Sequence, residues 1–185
     1  MKQLLFTLCF LFPYCANAQI GMDKVEDNGR RFIMSETMPL YTGLTNGGSF
    51  FLGYGLFNNT DEYYYLSLVL NEGKTDIATG RKLLIKLIDG TLIELSNTKE
   101  IGPTNYDLRT NAMGRLFYLT SPSYRITEEE IKKIIEGEAI KVRIETNTDF
   151  FDRGIKKNKL SKGLKTAYEA IQKKKLTKNE LYEGF

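Results

Sequence analysis

The strongest pattern along the chain is a pair of apolar-rich runs around an Asp-Gly step, Lys82 to Ser96, reading KLLIKLIDGTLIELS. Two such runs joined by Asp89-Gly90 predict a β-hairpin with a two-residue type I′ turn, because Gly and Asp tolerate the positive φ it needs. That turn sets Leu87 opposite Leu92 and Ile85 opposite Glu94. Leu83, Ile85, Leu87 and Leu92 then share one face, and Leu84, Ile88, Ile93 and Leu95, with Lys86 among them, share the other. Both faces are apolar enough to predict a central hairpin covered on each side. Asp89 is explained by the turn and needs no catalytic role.

Phe50 to Phe57 and Glu62 to Leu70 alternate as strands and read as a second hairpin across Asn58-Asn59-Thr60-Asp61. Gly53 and Gly55 fall on one face of the first strand, which predicts a bend or a bulky neighbour lying flat across it. Arg31 to Tyr41 and Arg115 to Leu119 read as extended, the latter interrupted near Pro122 before Tyr124 to Ile126. Ala139 to Thr146 alternates, with Ile140, Val142 and Ile144 on one side and Lys141, Arg143 and Glu145 on a wet side. Residues 19–29 read as a loose lead-in, Thr45 to Ser49 and Asn71 to Gly80 as loops, and Asn97 to Asn111 as a long polar connection. Two helices are predicted. Thr127 and Glu130 form a capping box ahead of Ile131, Ile134 and Ile135, with Gly137 as the stop. Asn158 to Lys174 carries an apolar stripe of Leu160, Leu164, Ala167, Tyr168 and Ile171. The fold class is α+β: a mainly antiparallel β-sheet or β-sandwich of about seven strands with two helices, the second C-terminal and packed on it.

The first 18 residues change the picture. Lys2, the apolar run Leu4 to Phe12 and Ala16-Asn17-Ala18 predict a signal peptide cleaved before Gln19. Lipidation at Cys15 is the rival, disfavoured by the bulky Phe12-Pro13-Tyr14 ahead of it. Cleavage removes both cysteines and leaves a disulfide-free chain of 167 residues without histidine. That suits a single domain over 19–175 with a tail at 176–185, soluble in the periplasm or outside the cell, with no transmembrane segment after cleavage. Charge is uneven: residues 19–152 carry 15 basic and 20 acidic side chains, residues 153–185 carry 10 and 3.

Without imidazole or thiol, Ser-His-Asp and Cys-His chemistry is excluded and zinc lacks its usual ligands. Asp149 and Asp152 flank two phenylalanines, a poor loop for a metal, and no cofactor is expected. Thr45 to Ser49 lacks the lysine of a phosphate loop. Ser161 with a neighbouring lysine is formally a nucleophile pair, but its place in the first turn of the last helix accounts for it. A carboxylate-only glycan hydrolase survives these exclusions. The aromatic residues lead elsewhere: Tyr54, Tyr63 and Tyr65 on adjacent strands offer ring and hydroxyl to a sugar or a protein. Lys157, Lys162 and Lys165 offer the C-terminal helix to an anionic surface. Nucleic acid is disfavoured, since the Glu62 to Leu70 strand has no basic residue among its aromatics.

The signal ending Ala16-Asn17-Ala18-Gln19, the KLLIKLIDGTLIEL hairpin, and Tyr124-Arg125-Ile126-Thr127-Glu128-Glu129-Glu130-Ile131 followed by Ala139-Ile140-Lys141-Val142-Arg143-Ile144 carry a resemblance. With these features the mature chain resembles the small exported proteins of unknown function abundant in Bacteroidetes-type Gram-negative bacteria. The resemblance implies an envelope or secreted location; it implies no activity and carries over no functional residue. The expectation is an exported, non-enzymatic binding module whose partner is a protein or a glycan.

Overall fold

The computed structural model describes residues 20–26, 30–42, 47–57, 61–71, 77, 80–97, 105–110 and 116–182, with the backbone alone for 57, 105–110, 116–118 and 177–182. The fold is α+β, with twelve described strands in two sheets, every pairing antiparallel, and two helices. The larger, eight-stranded sheet holds β1 (Ile20–Val25), β2 (Arg31–Ser35), β3 (Met38–Thr42), β4 (Gly47–Phe57), β5 (Asp61–Asn71), β8 (Asn105–Thr110), β9 (Leu116–Ser121) and β10 (Ser123–Ile126). The smaller sheet holds β6 (Lys82–Leu87), β7 (Leu92–Ser96), β11 (Ala139–Glu145) and β12 (Phe150–Gly154), in the order β12-β11-β6-β7. Helix α1 (Glu128–Gly137) precedes β11, and α2 (Lys159–Tyr182) follows β12.

The strand count exceeds the sequence expectation for specific reasons. The expected lead-in contains β1, an edge strand whose side chains are mostly exposed, so no alternation marks it. The expected long connection contains β8. The extended run at 31–41 divides into two strands, β12 adds another, and the run after Arg115 breaks at Pro122 as expected. Gly47, Gly48 and Ser49, read as loop, belong to β4. Helix α2 runs through Tyr182, so residues 176–182 of the expected tail are helical. The signal segment, Thr45-Asn46 and the Asn58–Thr60 turn lie outside the described residues.

Strands β4 and β5 organise the large sheet, pairing from Gly47↔Asn71 to Phe57↔Asp61. Their inward side chains Phe50, Leu52, Tyr54, Tyr64, Leu66, Leu68 and Leu70 are buried. On the outward face Gly53 pairs with Tyr65 and Gly55 with Tyr63. A Cβ on either glycine would stand inside the tyrosine ring opposite. The glycines therefore make room for a flat aromatic neighbour, as their shared face predicts. Each long strand is flanked by two short ones, and the gaps are bridged. Between β2 and β3 the Leu52 N–H donates to Ser35 Oγ at 3.1 Å. Between β9 and β10 the Leu68 N–H donates to the Pro122 carbonyl at 2.9 Å. Pro122 has no N–H for a ladder, which is why the run breaks there.

The 82–96 hairpin forms, with a different register. Leu83 pairs with Leu95, Ile85 with Ile93 and Lys86 with Leu92. The loop has three residues rather than two: the Leu87 N–H donates to the Thr91 carbonyl at 2.9 Å and the Gly90 N–H to the Leu87 carbonyl at 3.1 Å. Gly90 alone takes positive φ, +92°, so the turn is not type I′. A three-residue loop ending on a left-handed glycine is the next most favoured hairpin connection. The Ile88 N–H donates to the carbonyls of Gly137 and Glu138 at 3.2 and 3.0 Å, tying the turn to the end of α1. Asp89 accepts from the Thr91 N–H and hydroxyl at 2.8 and 2.9 Å, which holds its carboxyl below the usual range.

A slip of one residue exchanges the faces of a strand. Ile93 and Leu95 join Leu83, Ile85 and Leu87 inside, while Ile88 and Leu92 are 65% and 64% exposed. The hairpin is covered on one face only, and β7 is an edge of its sheet. Strand β11 alternates as expected except at its start. There a bulge between Ala139 and Lys141 turns Ile140 outward, while Val142 and Ile144 remain buried.

Helix α1 begins with the expected capping box: the Glu130 N–H donates to Thr127 Oγ1 at 3.2 Å, and the Thr127 N–H to Glu130 Oε2 at 2.8 Å. A 3₁₀ turn over Lys156–Asn158 leads into α2. The predicted stripe is the packed one, with Leu160, Leu164, Ala167 and Ile171 buried and Tyr168 partly so. Gly163, a poor helix residue, is where α2 approaches β4; a Cβ there would lie 2.6 Å from Phe50 Cζ. Ser161 Oγ accepts from the Ala139 N–H at 2.9 Å, joining the first turn of α2 to β11. The inner faces of both sheets and the buried stripes of both helices form one continuous core.

Candidate functional site

The outer face of the small sheet collects cationic side chains over an apolar floor. Register places Leu92, Lys86 and Lys141 in one cross-strand row, and Glu94, Leu84, Arg143 and Asp152 in the next. Between the rows lies an open recess of about 230 Å³ lined by Leu84, Lys86, Leu92, Lys141, Arg143 and Asp152. Arg143 grips Asp152 with two bonds, Nε at 2.7 Å and Nη2 at 3.0 Å, and Lys141 Nζ adds an ion pair at 2.5 Å. The Arg143 guanidinium also covers the Phe150 ring at 4.1 Å. Lys82 is paired with Glu94 at 2.6 Å. Lys86 stands directly opposite Lys141 and has no carboxylate partner among the described residues. The lining thus sets three cations against one carboxylate and has net positive charge.

The hydrogen bonds from Arg143 and Lys141 hold the Asp152 carboxyl well below the usual carboxylate range. It is an acceptor and a charge partner at neutral pH, not a proton donor. A depressed folded value contributes stability above the unfolded value of about 3.9, lost as pH falls through the folded one. Asp152→Asn is expected to lower stability at pH 7. The gap to the unaltered protein should narrow as pH drops below about 4. Urea midpoints of both proteins across that range check it.

A second constellation lies where the last described side chains of α2 cross β4 and β5. Lys175 Nζ sits 2.6 Å from Glu62 Oε2, 4.4 Å over the Tyr54 ring centroid and 5.6 Å from that of Tyr64. It also donates to the Tyr64 hydroxyl at 3.4 Å, which Gln172 Nε2 reaches at 2.7 Å. Tyr168 donates to Glu128 Oε1 at 2.7 Å. Burial is the main cause that pushes the Tyr64 hydroxyl up to about 12, with the Tyr54 and Tyr168 hydroxyls raised as well. All three are neutral phenols at physiological pH.

The residues brought forward by the sequence do not form one surface. Tyr54 faces inward at 2% exposure. Tyr65 faces outward, but at 8% exposure it has no ring face to offer, being laid over Gly53 and edge-on to Phe51 at 6.3 Å. Tyr63, partly buried, lies 6.1 Å from it. Lys157, Lys162 and Lys165 are exposed, the last two on α2 away from its buried stripe. Ser161 is buried and its oxygen is engaged by the Ala139 N–H. Asp149 is an exposed turn residue that accepts from the Phe150 N–H at 2.7 Å. The recess was missed because Lys86 and Lys141, 55 positions apart, meet only through the β6–β11 register. Its one sequence signal is the wet face of β11.

Among the described residues, no group of three His, Cys, Asp or Glu side chains is placed to hold a metal, and no helix is long and apolar enough to cross a membrane. Comparison with protein-family models, curated proteins and solved structures finds no match.

Proposed function

We propose that this protein is an exported, non-catalytic binding module of the cell envelope. It takes an acidic, partly apolar polypeptide segment on the outer face of the small sheet. Export rests on the charge, apolar run and Ala-x-Ala pattern of residues 1–18. Binding rests on Lys86 beside Lys141 and Arg143, three cations to the one carboxylate of Asp152 among the lining residues, over a floor of Leu84 and Leu92. Leu92 is 64% exposed at the edge of this face, where an isolated charged glycan would leave it uncovered. An extended chain alternating acidic and apolar residues matches both the cations and the leucines. Asp152, ionised and bonded to two cations, is not available as a glycosidase acid.

A second reading rests on the exposed Lys157, Lys162 and Lys165, which offer α2 to an anionic surface. One experiment separates the two. A peptide alternating glutamate and leucine, titrated by fluorescence anisotropy, is expected to bind saturably and more weakly as salt rises. Lys86→Glu with Lys141→Glu is expected to weaken binding by roughly tenfold or more. Lys162→Glu with Lys165→Glu should leave it unchanged. Equal loss in both pairs, or no loss in the first, overturns the sheet-face reading. Binding to anionic vesicles that only the helix pair abolishes favours the second.

A further inference from the structure

The outer face of the small sheet divides its charge unevenly between two neighbouring rows. Across the strands the first row runs Leu92, Lys86, Lys141 and Gly154, with two cations and no carboxylate. The second runs Glu94, Leu84, Arg143 and Asp152, with one cation between two carboxylates. The first row is open at its β12 end, since a Cβ on Gly154 would have nothing within 4 Å. The second is closed by Asp152. Arg143 gives Asp152 both Nε and Nη2, at 2.7 and 3.0 Å, and Lys141 Nζ reaches across from the first row at 2.5 Å. A two-bond guanidinium–carboxylate pair is among the stronger and more directional polar contacts. At the other end Glu94 holds Lys82 at 2.6 Å. An anion that approaches Arg143 therefore meets a carboxylate already in place.

We infer that Asp152 is a specificity-determining residue of this face, closing the second row to anions so that only a segment with carboxylates on one side and apolar side chains on the other fits. The inference rests on the peptide reading above and names the side-chain pattern that this face selects. An extended chain sends alternate side chains to opposite sides. Laid across the strands along the boundary between the rows, it turns one set toward Lys86 and Lys141 and the other toward Leu84. Acidic residues suit the first set and apolar residues the second. A chain acidic at every position sets half of its carboxylates against Asp152 and Glu94, and like charges brought together oppose binding.

The test uses the full-length protein and its Asp152→Asn variant, with two peptides of equal length, one alternating glutamate and leucine and one all glutamate. Asp152→Asn is expected to tighten the all-glutamate peptide by roughly tenfold and the alternating peptide by about threefold or less. Equal tightening of both, or no tightening of the all-glutamate peptide, overturns the inference. In the unaltered protein, saturation with the alternating peptide is expected to shift the Lys86 and Lys141 ε-methylene resonances. The Arg143 Nε–H resonance should stay in place, because Asp152 keeps that bond. A shift of the Arg143 resonance as large as those of the lysines also overturns the inference, and this measurement stands if the variant fails to fold. The peptide reading fails separately. If the alternating peptide binds neither protein, that reading falls, and tightening of the all-glutamate peptide alone still supports Asp152 as the group that excludes anions. If neither peptide binds either protein, both fall.

Discussion

Ile93→Lys is expected to destabilise the protein by several kcal/mol, enough to unfold a domain of ordinary stability, whereas Leu92→Lys changes stability by about 0.5 kcal/mol or less. The residues are adjacent and both apolar, so their difference is one of face. Ile93 is 6% exposed and sits across from Ile85 in the core; Leu92 is 64% exposed across from Lys86. A lysine at 93 must either lose its charge, bury it without a partner, or force the edge strand β7 off β6. A lysine at 92 extends an already cationic face. Had Asp89-Gly90 formed a two-residue turn, Leu92 would lie beside Ile85 and Leu87 and its replacement would be as damaging as that of any core leucine. Urea unfolding of the two variants, followed by far-UV circular dichroism, distinguishes the registers directly.

Phe50→Ala is expected to cost about 3–5 kcal/mol, the range for removing a large aromatic from a packed interior. Phe50 is fully buried and lies where three elements meet. It pairs with Leu68 on β5 and Met38 on β3, and its ring fills the space left by Gly163 on α2. Rigid strands bound the cavity on the sheet side, so collapse must come from the helix. Alanine at 163 in the same background refills part of that volume and adds about 1 kcal/mol of helix propensity. The double variant is therefore expected to recover part of the loss. Gly163→Ala alone is expected to destabilise, because its Cβ would meet the Phe50 ring. Chemical denaturation of the three variants gives the coupling between the two positions.

The elements most legible in the sequence share one property: neighbours within a few residues specify them. The capping box at Thr127 and Glu130, the α2 stripe from Leu160 to Ile171, and the alternation of β4 and β5 are all set by local hydrogen bonding or by a period of 3.6 or 2. Gly53 and Gly55 belong here too, since two gaps on one face of a strand call for a neighbour to fill them. The same property explains what was missed. β1 is an exposed edge with no apolar face to alternate, so only its pairing to β2 makes it a strand.

The candidate sites lie further from the sequence. Tyr54, Tyr63 and Tyr65 are close in the chain and in space, yet alternation sends Tyr54 to the core side and the other two to the outer side. Lys175 reaches Glu62 across 113 positions, and Lys86 meets Lys141 only because β6 and β11 pair. Local order alone thus determined the α+β class, both helices and the break at Pro122, and narrowed Gly53 and Gly55 to a bend or a bulky neighbour, which pairing with β5 resolved. Tertiary structure alone decided the register of the 82–96 hairpin. The three-residue loop puts Ile93 and Leu95 on the buried face and lets the Ile88 N–H bond to the end of α1, contacts that local sequence does not encode. Which side chains face solvent, and so where a partner can bind, follows from that choice of register.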